Sequence, residues 1–292
     1  MPSCNSGMAF CFLLLIMEFI NVNGKILEPG KAFIKPDNHS YRYGDGLFET
    51  MKVTGGRILL IDLHFDRLFR GISLLKFPLP GFFTNKFIEK EIIDLCQKNN
   101  CKDSGRVRLS VSVGNGGLYD DDEKFQYVIE GWPLGDTISN LNEKGFVIDV
   151  FPGARKACDS FSNLKSASHL PYVMAARFAK ENRLNDCLLL NMYNRICDST
   201  IANIFWIKDE KIFTPPLVEG CIEGVMRKYL IERLNAKSYN LQEKICEMHD
   251  LENADEIFLT NAIQGIRWVK QFRDSTYTNT ITKNIYLGCI NL

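Results

Sequence analysis

Arg106-Val107-Arg108-Leu109-Ser110-Val111-Ser112-Val113 alternates strictly between polar and apolar side chains and stops at Gly114-Asn115-Gly116-Gly117. In an extended chain successive side chains point to opposite faces. Val107, Leu109, Val111 and Val113 therefore share one face, and Arg106, Arg108, Ser110 and Ser112 share the other. Such a strand needs a sheet with one side on a core. Its polar side either lines a site or meets water.

Around that strand the pattern predicts strands interleaved with helices. Residues 18–25 read as a first strand with an Asn23-Gly24 turn, and strands and turns continue to residue 53. Tyr43-Gly44-Asp45-Gly46-Leu47-Phe48-Glu49 carries two glycines around Asp45. They mark either an ordinary strand-entry turn or a place where backbone approaches a ligand. Gly55-Gly56 predicts a hairpin. Asp62 is the expected N-cap of a helix with Leu68, Ile72 and Leu75 at helical spacing. His64, Arg67 and Arg70 share one face of it, either a solvated face or one that brings an arginine fork to a phosphate. A second helix is expected over 84–98, with Phe87, Ile88, Ile92 and Cys96 as its apolar stripe, and a strand over 126–132.

Pro133-Leu134-Gly135 is the expected domain boundary. It separates a small α/β domain, 17–133, from a larger domain, 134–292. The larger part predicts strands at 146–151, 186–191, 202–207 and 211–214, and a last buried strand running from 256 to a polar turn at Asn261-Ala262. A helix opens at Pro171 and is packed by Tyr172, Ala175, Ala176 and Ala179. Another runs over 223–234. Its first turn, Gly224-Val225-Met226, is either an uncommitted helix start or an anion site built from free backbone N–H groups. The whole predicts a fold of the α+β or α/β class.

Thirty-five basic residues balance thirty-five acidic ones, so no global field favours nucleic acid or an anionic membrane. The ten cysteines form no CxxC pair and there is no histidine cluster, so no metal site is expected and reduced, cytoplasmic thiols are. Residues 8–16 are strongly apolar. They lack a preceding basic residue and a small-x-small cleavage site, and the run is short for a transmembrane helix. We expect residues 1–16 to be a start-site artefact or a disordered extension, with the mature protein beginning at Met17.

The chemistry concentrates between Ser162 and Asn203. Lys165 stands among small polar residues, and Asp198 follows at a strand edge. An amine in such a setting can form an imine with a carbonyl cofactor, and a nearby carboxylate can hold a heteroaromatic nitrogen protonated. A lone lysine is also an ordinary solvated surface charge.

Six ordered motifs together resemble the fold-type IV pyridoxal-phosphate enzymes. They are the Tyr43–Glu49 run, His64-Phe65-Asp66-Arg67-Leu68, Leu164-Lys165-Ser166, Asp198 through Asn203-Ile204-Phe205, Gly224-Val225-Met226-Arg227, and Asp255-Glu256-Ile257-Phe258-Leu259-Thr260-Asn261. The family includes branched-chain and D-amino-acid aminotransferases and aminodeoxychorismate lyases. The resemblance implies the family's two-domain fold and pyridoxal 5'-phosphate as cofactor. Lys165 then carries the imine and moves protons. Arg67 and the backbone at Val225 and Met226 hold the phosphate, and Asp198 and Asn203 lie at the ring. Phe48, Arg108, Asn261, Ala262 and Arg267 are implied as substrate-binding residues.

Several departures refine the resemblance. Asp198 falls where the family usually has a glutamate. Met226 and Ala262 replace hydroxyls offered to the phosphate, and Leu170 replaces a tyrosine of the branched-chain enzymes. Val113 occupies a place where several relatives carry an arginine, leaving Arg106, Arg108 and Arg267 for a substrate carboxylate. Gly224-Val225-Met226-Arg227, in place of a Gly-Ile-Thr-Arg type motif, resembles the lyase branch, which releases pyruvate from 4-amino-4-deoxychorismate to give 4-aminobenzoate for folate synthesis. An aminotransferase acting on branched-chain or D-amino acids with 2-oxoglutarate is the alternative, and a non-catalytic relative a third reading. A cytoplasmic homodimer acting on a small molecule is implied.

Overall fold

The computed structural model describes residues 17–119 and 124–290, so the expectation for residues 1–16 lies outside the described residues. The first part of the chain builds a six-stranded sheet from β1 (Ile20–Val22), β2 (Lys25–Leu27), β3 (Leu47–Thr54), β4 (Arg57–Ile58), β5 (Ser104–Val113) and β6 (Phe125–Pro133). Its strand order is β2-β1-β6-β5-β3-β4. The alternating strand lies near the centre, pairing antiparallel with β3 and β6. Val107, Leu109, Val111 and Val113 are buried, and Arg106 is exposed beside Trp132.

Helices α1 (His39–Tyr43), α2 (Ile61–Leu74) and α3 (Asn85–Lys98) complete this part. Phe65, Leu68 and Ile72 of α2 pack with Ile88, Ile92 and Leu95 of α3 on Met51, Val53 and the apolar face of β5. Each of these side chains stabilises the fold by roughly 1.5–3 kcal/mol relative to exposure. Phe87 is only partly buried, and Leu95 takes its place in the stripe.

Two local expectations are corrected. Residues 39–43 form a short helix where strands and turns were expected. Asn38 caps it by accepting the Tyr41 N–H, and Gly44 ends it in the left-handed region at φ 69°. Helix α2 begins at Ile61 behind a left-handed Leu60, so Asp62 lies in the first turn and is not the cap.

The second sheet has nine strands: β7 (Phe146–Lys156), β8 (Asp186–Asn191), β9 (Ile196–Ser199), β10 (Asn203–Lys208), β11 (Lys211–Thr214), β12 (Leu241–Glu243), β13 (Glu256–Asn261), β14 (Gly265–Phe272) and β15 (Ser275–Thr276). Its order is β12-β11-β10-β13-β14-β7-β8-β9, with β15 on β14. Its inner strands are buried on both faces. In β10, Ile204 and Trp206 enter one core while Phe205 and Ile207 enter the other. Helices α4 (Leu170–Glu181), α5 (Val225–Ala236), α6 (Met248–Glu252) and α7 (Thr280–Cys289) belong to this part. Tyr172, Ala175 and Ala179 bury the packed face of α4, while Ala176 is exposed.

The two sheets meet at the start of β3. The Phe48 N–H donates to the Lys165 carbonyl at 3.0 Å, and the Ala167 N–H donates to the Gly46 carbonyl at 2.7 Å. Leu47 and Ser166 form an isolated bridge between them. The segment between β7 and α4 is thus fastened to the first sheet, placing Lys165 between the two halves.

Candidate active site

Lys165 lies in an irregular segment, and its ammonium sits 4.7 Å from the centre of the Phe48 ring. Burial, then the neighbouring Arg67 and Arg108 cations, pull its pKa down from 10.5 to about 8, against the opposing pull of Glu49 and Asp198. Lys165, Arg67, Arg108 and Asp198 therefore share one electrostatic neighbourhood. Its amine is available at a pH where a surface lysine remains charged.

Arg67 sits one helical turn beyond His64, and both turn inward on α2. The solvated alternative for this face fails at these two positions because Glu49 of β3 waits beneath them. Arg67 Nε donates to Glu49 Oε1 at 2.8 Å and Nη2 to Oε2 at 2.5 Å, while His64 Nδ1–H donates to Oε2 at 2.7 Å. Burial pushes the Glu49 carboxyl up, but Arg67 and His64 outweigh it and hold its pKa at about 2. Burial likewise keeps His64 below its ordinary pKa. Arg67 Nη1 donates to the Glu223 carbonyl at 2.8 Å, and Arg70 pairs with the Glu223 carboxylate at 2.8 Å. The fork is thus fixed against the residue that precedes the α5 N-cap.

The approach to α5 is held from several sides. The Ile222 N–H donates to Asp198 Oδ2 at 2.8 Å, Asn203 Nδ2 donates to the Ile222 carbonyl at 2.8 Å, and the Glu223 N–H donates to Asn163 at 3.1 Å. Gly224 is the N-cap, and a Cβ there would fall 1.9 Å from Asn203 Oδ1, so only glycine lets the turn approach Asn203. The first intrahelical bond runs from the Lys228 N–H to the Gly224 carbonyl. The N–H groups of Val225 and Met226 precede it and remain free to bind an anion, beside Arg67. The side chains of Val225 and Met226 are buried and take no part.

Asp198 is buried at the end of β9. Its Oδ2 accepts from Lys156 Nζ at 3.0 Å, from the Tyr172 hydroxyl at 2.8 Å and from Ile222, whereas among the described residues Oδ1 accepts from Asn203 Nδ2 alone, at 3.0 Å. Oδ1 therefore keeps room for one more donor. Lys156 also donates to the Tyr172 hydroxyl. Burial alone would lower the Lys156 pKa, and the Asp198 carboxylate more than reverses that. The His169 ring stacks on Tyr172 at 4.2 Å and meets Phe48 edge-on at 5.4 Å. Burial, then Lys165 and Lys156, lower its pKa to about 4, so the imidazole is neutral near pH 7.

Arg108 reaches the same place from the polar face of β5. Its guanidinium lies 3.7 Å from the Phe48 ring centre, its Nε donates to Ser110 Oγ at 3.2 Å, and Glu130 approaches Nε at 4.0 Å. Among the described residues neither terminal nitrogen has a partner.

Two expected contributors are engaged elsewhere. Arg267 is buried, and its Nη1 donates to the carbonyls of Asn140, Gln264 and Ile266 while Nη2 donates to that of Ile138. Its guanidinium ties β14 to the connection between the sheets and is not offered to a carboxylate. Asn261 Oδ1 accepts the N–H groups of Ile263 and Gln264, shaping the turn that also contains Ala262.

Glu49 carried no role in the sequence reading although it closes the glycine motif, and Lys156 was not singled out. Tyr172 was read only as packing. One available signal was the register of α4, which points Tyr172 inward with Ala175 and Ala179.

The site thus brings together a partly deprotonated lysine, backbone N–H groups of a helix start beside an arginine, and a buried carboxylate whose Oδ1 has room for one more donor. The sequence model described as "Amino-transferase class IV" matches residues 46–272, and the chain belongs to that family. Aminodeoxychorismate lyase of Bacillus subtilis is 30% identical over 257 residues, covering 85% of this chain and 84% of the relative. Aminodeoxychorismate lyase of Vibrio harveyi is 28% identical over 239 residues, covering 78% and 83%. The crystal structure of the Escherichia coli branched-chain amino acid aminotransferase superposes with a TM-score of 0.83 at 20% identity, covering 92% of both chains, which shows the shared fold.

Proposed function

We propose that this chain is a pyridoxal-phosphate-dependent aminodeoxychorismate lyase, releasing pyruvate from 4-amino-4-deoxychorismate to leave 4-aminobenzoate for folate synthesis. The observation that carries the cofactor reading is a set of groups linked through Glu223, Ile222 and the electrostatic neighbourhood of Lys165. It contains an amine for an aldehyde, free N–H groups and Arg67 for a phosphate, and Asp198 Oδ1 for a ring nitrogen. These residues fit pyridoxal phosphate. When bound, the cofactor withdraws electrons from the substrate carbon that bears the amino group.

The chain's own residues supply the rest. Lys165 Nζ, free of its proton above about pH 8, takes the proton from that carbon. The ether bond to the adjacent ring carbon breaks, its electron pair leaves with enolpyruvate, and Lys165 returns a proton as pyruvate forms. The ring becomes aromatic, which supplies driving force. Arg108, seated on Phe48 with its terminal nitrogens unengaged among the described residues, binds a carboxylate of the dianionic substrate. The neutral His169 and Tyr172 rings wall the site without adding charge.

The lyase reading also rests on the similarity to aminodeoxychorismate lyases of Bacillus subtilis and Vibrio harveyi. The aminotransferase reading uses the same lysine and the same fold. Incubation with aminodeoxychorismate should release 4-aminobenzoate and pyruvate in equal amounts, and incubation with a branched-chain or D-amino acid plus 2-oxoglutarate should yield no glutamate. The reverse pattern makes the protein an aminotransferase.

We further read the protein as a cytoplasmic homodimer of two domains divided near residues 133–135. The eight cysteines among the described residues are all free, in keeping with a reducing compartment. Phe33, Ile34, Tyr41, Leu118 and Tyr119 are exposed on segments joined to each other by the Asn38–Asn115 bridge and the His39–Gly117 bond, and they form the face for a second copy.

A further inference from the structure

The carboxylate at the inner end of the site is already occupied by this chain before any ligand is considered. Asp198 Oδ2 takes three donors, and one of them, Lys156, is a buried cation whose pKa is raised by the pairing. Tyr172 closes the triangle. It donates to Asp198 Oδ2 and accepts from Lys156, and burial, then Asp198, keep it in the phenol form. The remaining titratable groups that act on these three are Cys158, Cys197 and Cys221, all kept as thiols by burial, and Lys165 and His169 of the reactive segment. The negative charge of Asp198 is therefore shared with Lys156, and among the described residues Oδ1, with Asn203 as its one donor, keeps room for another.

We propose that Lys156, braced by Tyr172, is a positioning residue that sets how firmly the ring nitrogen of the bound cofactor holds its proton. The inference rests on the reading of the site as a pyridoxal-phosphate site. A carboxylate alone stabilises a protonated ring nitrogen by its full charge. A carboxylate paired at 3.0 Å with an ammonium stabilises it less, because the cation repels the incoming proton. With the cofactor bound, Lys156 would lower the pH at which the ring nitrogen loses its proton and so would weaken the ring's pull on electrons. Such tuning suits an elimination assisted by aromatisation, which asks less of the ring than an amino-transfer does. Tyr172 prevents Lys156 from swinging away from Asp198, and the stacked His169 holds the Tyr172 ring in place.

The test loads the full-length protein with pyridoxal phosphate labelled with nitrogen-15 in the ring and follows the nitrogen resonance with pH. In Lys156→Met the midpoint for loss of the ring proton should rise by about 1–3 pH units, and Lys156→Arg, which keeps the cation, should stay near the wild-type midpoint. Lys156→Gln removes the charge but keeps a donor to Asp198, and carries the same measurement if the methionine variant does not fold. A midpoint unchanged in the charge-free variant overturns the role of Lys156 while leaving the cofactor reading intact. Failure of the wild-type chain to take up the labelled cofactor overturns both.

Discussion

Glu49 and Arg67 face each other as a fork on a carboxylate, Nε on Oε1 at 2.8 Å and Nη2 on Oε2 at 2.5 Å, with both side chains withdrawn from solvent. The pair joins β3 to α2 and fixes the guanidinium that stands beside the anion cup. Glu49→Ala would leave a buried cation unmatched. We expect a loss of about 3–5 kcal/mol in urea unfolding, together with weaker pyridoxal-phosphate binding. Wild-type stability in that variant would mean the pair is solvated.

The same carboxyl sets an acid limit. Its pKa is 4.5 in the unfolded reference and about 2 in the folded protein, so unfolding takes up a proton between those values. The stability contributed by Glu49 is complete above about pH 4.5 and is lost as pH falls toward 2. Denaturation midpoints measured from pH 6 to pH 2 should fall through this window in the wild type, and less steeply in Glu49→Gln.

Lys165 makes a prediction of the same sign at alkaline pH. Its pKa of about 8 lies below the free value of 10.5, so the amine is neutral above about 8. The rate at which the cofactor-free chain captures pyridoxal phosphate, followed by absorbance, should rise with a midpoint near 8. A midpoint near 10.5 would place the lysine in water. Because the unfolded lysine keeps its proton to 10.5, this group's contribution to stability increases with pH between 8 and 10.5.

Much of the scaffold was legible because it rests on local periodicity. The alternation at 106–113 became the centre of the first sheet, and the strands at 186–191 and 211–214 fall at their expected places. The glycines at 55–56 turn the expected hairpin, with Val53 opposite Ile58. What stayed hidden depends on contacts distant in sequence. Nothing near Glu49 announces that it lies under Arg67, 18 residues later. Arg267 looked available because a sequence does not display the backbone carbonyls of Ile138 and Asn140 that surround it. The cap of α2 lies two residues before the expected Asp62, since a left-handed Leu60 has no compositional signature.

Arg108 should divide substrate binding from cofactor binding. Removing its fork in Arg108→Met would forfeit charge-assisted bonds to a substrate carboxylate. We expect kcat/KM to fall by about tenfold to a hundredfold, chiefly through KM, with cofactor affinity unchanged. Lysine should restore little, since it lacks the planar fork that stacks on Phe48. An unchanged KM would move the carboxylate site elsewhere.

Gly224 tests the cup directly. A methyl group there meets Asn203 Oδ1 at 1.9 Å, and Asn203 in turn holds Asp198 Oδ1. Gly224→Ala should displace the asparagine and weaken cofactor binding at least tenfold in equilibrium dialysis. Binding at wild-type strength would show that the turn does not need to approach Asn203.

The central claim is that Lys165 is the amine that bonds to the cofactor. Borohydride reduction of the pyridoxal-phosphate-loaded protein, followed by peptide mapping, measures this most directly. We expect one pyridoxyl adduct, on the peptide that contains Lys165, and none in Lys165→Ala. An adduct on Lys156 or any other lysine, or no adduct in protein that has bound the cofactor, would contradict it.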